Sequence, residues 1–245
     1  MTALLREGER LDDLECGGYR LIQRRDGFRF TTDSVLLADF ARPRKWDRAV
    51  DLGCGTGVIA TLLVAHCEGV TVDAIEIQED VADMAARSVS LNRLEDRVRV
   101  HRMDMRDAWK TLGAGKYTLA VCNPPYGRAG AALLSESEEK RLSRHEAALT
   151  IDDVALSASK LLRTGGRFAA VFPAPRAFEL MRAMQDNGMA PKRVRTVHGV
   201  EGRAPKLILI DAVRGGGEGL EWLPPLTLQR EDGTPTEEWK RIYGK

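Results

Sequence analysis

A chain of 245 residues with 43% apolar and 30% charged side chains can bury one sizeable core and is short for two independent domains of ordinary size. No stretch approaches the roughly 18 apolar residues of a membrane span, and the opening MTALLREGERLDD has no apolar h-region, so neither a span nor a secretory leader is expected and the predicted location is cytoplasmic. Cys16, Cys54, Cys67 and Cys122 show no C-x-x-C spacing, which argues against a zinc site or a disulfide framework, and a formal net charge of +1 exerts no global pull on nucleic acid.

In chain order, YRLIQRRDGFRF predicts a hairpin turning at Asp26-Gly27, followed by a helix from Thr32 to Phe40. From residue 48 onward, short apolar runs alternate with helical patterns, as in βαβ units with a parallel sheet covered on both faces. The strands are expected at 49–53, 70–77, 98–102, 117–123, 167–172, 192–198 and 206–213. Helices are expected at 57–66, 79–92, 147–162 and 175–187, the last stopping at Asn187-Gly188. The sixth and seventh strands are separated only by HGVEGRAP, too short for a crossover helix, so they are expected to run antiparallel. The tail WLPPLTLQREDGTPTEEW, with its proline pair and Asp-Gly, predicts a surface hairpin.

Asp51-Leu-Gly53-Cys-Gly55-Thr-Gly57 follows the first sheet strand and opens a helix, so its glycines allow a tight turn and close approach of a ligand to the backbone. A dinucleotide turn would be G-x-G-x-x-G; here the third glycine comes one residue early, which favours S-adenosylmethionine. The mixed sheet and this turn together resemble the class I S-adenosylmethionine-dependent methyltransferases. The resemblance implies a Rossmann-like α/β fold with a seven-stranded mixed sheet in the order 3-2-1-4-5-7-6 and helices on both faces. Residues 1–47 would then be a hairpin and helix extension packing on the cofactor site, and residues 48–245 the methyltransferase domain. It also implies that Glu76 at the second strand end accepts the ribose hydroxyls and Asp104 the adenine amino group. Met103 or Met105 would lie against the adenine ring, and Asp51 near the methionine end. Thr31, Thr32 and Asp33 are candidate donors to the cofactor carboxylate and also good helix caps.

Asn123-Pro124-Pro125-Tyr126 ends the fourth strand. Methyl transfer to an exocyclic amine requires a lone pair that is otherwise delocalised into the π system. The Asn123 side-chain oxygen and the Pro124 carbonyl can each accept one amino hydrogen and so favour a tetrahedral nitrogen. Pro124 and Pro125 stiffen the turn, and Tyr126 offers a stacking face, worth roughly 1–3 kcal/mol per nucleobase.

The combination of GFRFTTDSVLLA, DLGCGTG, NPPY, SRHEAALTIDD and the C-terminal RVRTVHGVEGRAPKLILIDAVRGGGEGLEWLPPL is similar to bacterial tRNA methyltransferases that modify N6 of adenosine 37 in a valine tRNA. That resemblance implies a tRNA partner, met as a monomer or weak homodimer. Local charge is compatible with RNA: Lys192, Arg193, Arg195, Arg203 and Lys206 face one acid, Glu201, and Arg24 and Arg25 lie in a basic run with Arg20, Arg29 and Asp26. Solvated basic edge strands are the alternative. Glutamine methyltransferases acting on release factors and guanine-N2 methyltransferases of ribosomal RNA share the NPPY chemistry and remain alternatives, as does a non-catalytic cofactor-binding protein.

Overall fold

The computed structural model describes residues 5–26, 32–124 and 149–243. Two strands, β1 (Glu9–Asp13) and β2 (Arg20–Arg24), pair antiparallel and lead into α1 (Thr32–Ala41). The βαβ series follows: β3 (Arg48–Leu52), α2 (Val58–His66), β4 (Thr71–Glu76), α3 (Glu79–Leu91), β5 (Val98–Arg102), a 3-10 turn (Met105–Asp107), α4 (Ala108–Leu112) and β6 (Tyr117–Cys122). After the segment outside the described residues come α5 (Ile151–Leu161), β7 (Leu162–Pro173), α6 (Ala177–Asp186), β8 (Met189–Val200), β9 (Leu207–Arg214), β10 (Glu221–Trp222), β11 (Leu226–Gln229) and α7 (Glu237–Ile242).

The main sheet runs β5-β4-β3-β6-β7-β9-β8, parallel from β5 to β7 and antiparallel where β9 joins β7 and β8. Counted from β3, this is the expected order 3-2-1-4-5-7-6. All seven sheet strands fall where apolar runs predict them, β7 and β8 being longer at both ends. Strand periodicity assigns the two faces. Phe168, Ala170 and Phe172 of β7 pack with Leu180, Ala183 and Met184 of α6 and with α5. Ala169 and Val171 face the opposite way, into the cluster built by α1 and α2. Thr150 caps α5 in a reciprocal box with Asp153, which sets its start later than the periodicity predicts. The short α4 and α7 carry too few turns for periodicity to reveal them.

One local expectation falls partly outside the described residues and one is corrected. β2 pairs upstream with β1 through the connection Leu14–Tyr19, where Leu14 N donates to Tyr19 O at 2.9 Å, and the predicted downstream arm beyond Asp26 lies outside the described residues. The reason is docking: Ile22 N donates to Ser88 Oγ at 2.9 Å, Asn92 exchanges two hydrogen bonds with the Arg20 backbone, and Arg87 forks onto Glu9. Contacts to α3 thus hold the β1–β2 pair in place.

The expectation for the tail is corrected. β10 and β11 each add to β8 in parallel, so the chain there extends the main sheet; only the Asp232-Gly233 bend folds back, with Arg230 N donating to Thr234 O at 2.8 Å. Leu226, 1% exposed, supplies the apolar anchor. Among the described residues no helix is long and apolar enough to cross a membrane.

Candidate active site

The carboxyl ends of β3, β4 and β6 meet at one edge of the sheet. β3 turns through Gly53, whose φ of 76° a side chain would strain, and Gly53 N and Cys54 N both donate to Ile75 O on β4, at 2.9 and 2.8 Å. Gly57 at φ 88° precedes α2, and a Cβ added there would meet Ala85 of α3 at 3.7 Å. At Gly55 an added Cβ would meet nothing within 4 Å, so this backbone faces open space that a ligand can approach.

Two carboxylates lie beneath the turn. Asp51 is fully buried; its Oδ2 accepts from Ala60 N at 3.2 Å, while Oδ1 has no partner among the described residues. Burial raises this carboxyl to about 7, with the neighbouring Glu76 pushing the same way and the Ala60 hydrogen bond opposing. Glu76, 6% exposed, accepts from Gly55 N at 3.1 Å through Oε2 and from Gln78 N at 2.9 Å through Oε1. Burial raises Glu76 as well, and those backbone donors oppose it. A buried carboxylate oxygen without a donor is costly, and it fits a site completed by a cationic or hydroxyl-bearing ligand. A carboxylate oxygen accepts more than one hydrogen, so Glu76 can take a ribose hydroxyl beside these backbone donors.

Asp104 caps the 3-10 turn through Arg106 N, and its carboxylate is gripped by the Arg106 guanidinium at 3.0 Å from Nε to either oxygen. That bond holds its carboxyl below the usual carboxylate range. To serve adenine, Asp104 must share a carboxylate that Arg106 already occupies. Met105 is buried, and its terminal methyl lies 3.5 Å from where a Gly53 Cβ would be, so it lines the same edge.

Asn123 follows β6. Because Asp51 pairs with Val121, the register carries Asn123 to the level of Gly53, on the same sheet face as Asp51. Its Nδ2 donates to Ser34 Oγ of α1 at 3.4 Å, a long bond that turns the amide oxygen away from Ser34. Pro124 is buried. Pro125, Tyr126 and Thr31 lie outside the described residues; Thr32 and Asp33 open α1, immediately before Ser34. Gln23 of β2 donates to Thr56 Oγ1 in the glycine turn at 3.1 Å, so the N-terminal hairpin touches this site directly. Ser34 and Gln23 were not singled out by the sequence, since an isolated polar residue in an apolar helix or strand has no motif to mark it.

The basic candidates separate into committed and available groups. Arg193 pairs with the buried Asp211 and lies 4.9 Å over the Phe40 ring, Arg195 forks onto Glu238, and Lys192 donates to Glu218 O at 2.8 Å. Arg24 pairs with Asp26, and Arg25 donates to Glu9 O. Arg203 and Lys206 are exposed on the turn between β8 and β9. That turn adjoins the end of β7, since Ala174 N donates to Lys206 O, and it therefore lies on the same sheet edge as Asn123.

Comparison with known proteins agrees with this geometry. A family model described as methyltransferase small domain matches residues 30–186. A tRNA1(Val) (adenine(37)-N6)-methyltransferase from Tolumonas auensis is 30% identical over 193 residues, covering 78% of this chain and 79% of that protein. The protein of the same description from Yersinia pseudotuberculosis serotype O:3 is 26% identical over 86% of this chain and 82% of its own length. Among solved structures, a predicted O-methyltransferase from Agrobacterium tumefaciens superposes with a TM-score of 0.70 at 20% identity, over 87% of this chain and 96% of that one. A 16S rRNA N2 G1207 methyltransferase from T. thermophilus, in complex with AdoMet and guanosine, gives 0.61 at 18% identity over 86% and 52%. These two likenesses concern the fold.

Proposed function

Since the chain belongs to the methyltransferase small domain family, we propose that it methylates the exocyclic N6 of an unpaired adenine in RNA, with adenosine 37 of a tRNA as the favoured nucleotide and S-adenosylmethionine as the donor. The observation that carries this reading is the register that sets Asn123 level with the glycine turn, on the face of the sheet that holds Asp51. The relatives described as tRNA adenine-N6 methyltransferases supply the substrate class.

S-adenosylmethionine supplies an electrophilic methyl group at the glycine turn. The residues that would hold it are Asp51, Gly53, Gly55, Gly57, Glu76 and Met105, with Asp104 shared between the ligand and Arg106, and with Thr31, Thr32 and Asp33 near the methionine carboxylate. Glu76 accepts hydroxyl hydrogens, and the buried Asp51 oxygen accepts from an ammonium or hydroxyl donor. Asn123 Oδ1 and the Pro124 carbonyl accept the two amino hydrogens of the target, which localises its lone pair toward the methyl group. Pro125 and Tyr126 continue the motif, the tyrosine as a stacking face. Residues 1–47 act as a lead-in that braces the site through Gln23–Thr56 and Ser34–Asn123. Arg203 and Lys206 are the phosphate contacts best placed at the site edge. The enzyme works in the cytoplasm, as a monomer or weak homodimer.

The test is incubation with methyl-labelled cofactor and, in turn, unmodified total tRNA, ribosomal RNA, DNA and release factor. Label is expected in tRNA as N6-methyladenosine, and Asn123→Ala should lower kcat by about 10²-fold or more with cofactor affinity nearly unchanged. Label found only in release factor would sink the RNA reading.

A further inference from the structure

At the opposite edge of the sheet, the connection from α1 to β3 reads Arg42-Pro43-Arg44-Lys45-Trp46-Asp47-Arg48. Trp46 is 74% exposed, an unusual place for a large apolar ring. The backbone there is strained: Trp46 has φ 70° and Arg42 φ 43°, two of the four non-glycine residues with positive φ among the described residues. Such strain persists only where the surroundings impose it. Here they do, because the buried Asp47 carboxylate accepts from Arg44 N and from Thr118 Oγ1, both at 2.7 Å. Arg167 adds to this by donating to the carbonyls of Ala41 and Arg42 at 2.8 and 3.1 Å.

The ring itself is seated on one side. A Cβ on Gly69 would come within 3.0 Å of it, so the glycine is what lets the indole lie against the backbone ahead of β4. Lys45 Nζ stands 5.3 Å from the ring centroid, and Arg44 and Arg48 are exposed on either side. Arg48 also reaches Asp73 at 3.5 Å. Asp47, next in the chain, is buried and bonded inward, and the exposed Glu68 precedes Gly69, on which the ring is seated. A rigidly presented aromatic plane among cations is the arrangement that stacks an unpaired base and holds its flanking phosphates.

We propose that Trp46, with Arg44 and Lys45, forms a second RNA contact that grips the substrate outside the target loop, while Arg48 is committed to Asp73 and to the Tyr117 ring. This rests on the RNA reading above. The surface stands at the amino end of β3 and the chemistry at its carboxyl end, about 15 Å away along the strand at roughly 3.3 Å per residue. Because the two surfaces lie at opposite ends of the same strand, an RNA touching both must pass around the body of the protein, a longer path than the strand itself, and a folded tRNA is large enough to follow it.

The experiment compares the intact protein on a full-length unmodified tRNA transcript and on the isolated stem-loop carrying the same target adenosine. Trp46→Ala should weaken binding of the full-length tRNA about tenfold and raise its KM similarly, with kcat, the melting temperature and stem-loop binding unchanged. Trp46→Phe should retain most of the affinity. The Arg44→Glu/Lys45→Glu variant should weaken full-length binding further and flatten its salt dependence by about two in log–log slope. Full-length affinity equal to wild type in Trp46→Ala and in the charge variant would overturn the proposal, as would an equal loss on both RNAs. Binding to phosphatidylserine vesicles that depends on Trp46 while RNA affinity does not would also overturn it, in favour of a membrane surface. A wild-type protein that labels no RNA removes the function reading itself, and this contact with it.

Discussion

At Asp51 a carboxylate is buried at the expense of the fold's stability. Its Oδ1 is buried without a donor among the described residues, and burial raises the carboxyl to about 7, against about 3.9 in an unfolded chain. Between those two values the folded chain binds the extra proton, so this group's contribution to stability falls as pH rises through the window and levels off above it. Glu76, also raised by burial, acts in the same direction. Asp51→Asn keeps an acceptor for Ala60 N and removes the charge. Without ligand it should melt about 5 °C higher than wild type at pH 8 and at nearly the same temperature at pH 4. Its affinity for S-adenosylmethionine should fall at least tenfold on the order of one lost charge-assisted bond. Melting curves across that pH range with calorimetric titration check both; a variant melting at or below wild type at pH 8 would mean the buried charge is already compensated.

Among the elements, the N-terminal hairpin is held by side chains more than by its own two strands, since an isolated two-stranded pair is marginal in water. Arg87 of α3 forks onto Glu9 at 2.8 and 2.6 Å, with both side chains mostly buried, and also reaches Asp83. The Arg87 bond holds the Glu9 carboxyl below its usual value, so the pair stabilises the fold above the unfolded carboxyl pKa and ceases to do so as pH falls through the folded value. Arg87→Ala should therefore cost about 2 kcal/mol at pH 7, between the values typical of exposed and buried pairs. The deficit should be smaller at about pH 3 than at pH 7, because it is lost as pH falls through the lowered value of Glu9 in the wild type. Urea denaturation at the two pH values measures it, and hydrogen exchange at Leu21 and Ile22 should quicken in the variant; unchanged exchange there would show the hairpin to be anchored by its backbone contacts with Ser88 and Asn92 alone.

Across the molecule, the sheet ends in a strand covered by the tail. β10 and β11 lie on β8, Leu223 N donates to Val194 O at 2.9 Å, and Arg195 reaches Glu238 of α7. Ending the chain at Gly219 would bare the β8 edge and uncover the buried Val197, and unpaired edges self-associate. The truncated protein should elute from size exclusion as oligomers or aggregates at concentrations where the full chain is a single small species; a well-behaved truncated monomer would show the tail to be ornamental to the sheet.

The sequence alone determined the seven sheet strands, their mixed direction, the glycine turn and the Asn-Pro-Pro-Tyr motif, because each is written in contiguous residues: apolar runs, a connection too short for a helix, glycines where φ must be positive. The order of the strands came with the family resemblance, and the structure agrees with it. Only the tertiary structure decided which partner each polar group takes. Arg193 is claimed by Asp211, Arg195 by Glu238 and Asp104 by Arg106, while β2 turns back to β1 because α3 offers Ser88, Asn92 and Arg87. Charge can be counted along a chain, but ion pairing depends on approach in space, between residues as far apart as 195 and 238. The same holds for Trp46, whose exposure and seat on Gly69 exist only once α1, β3 and β4 are packed together.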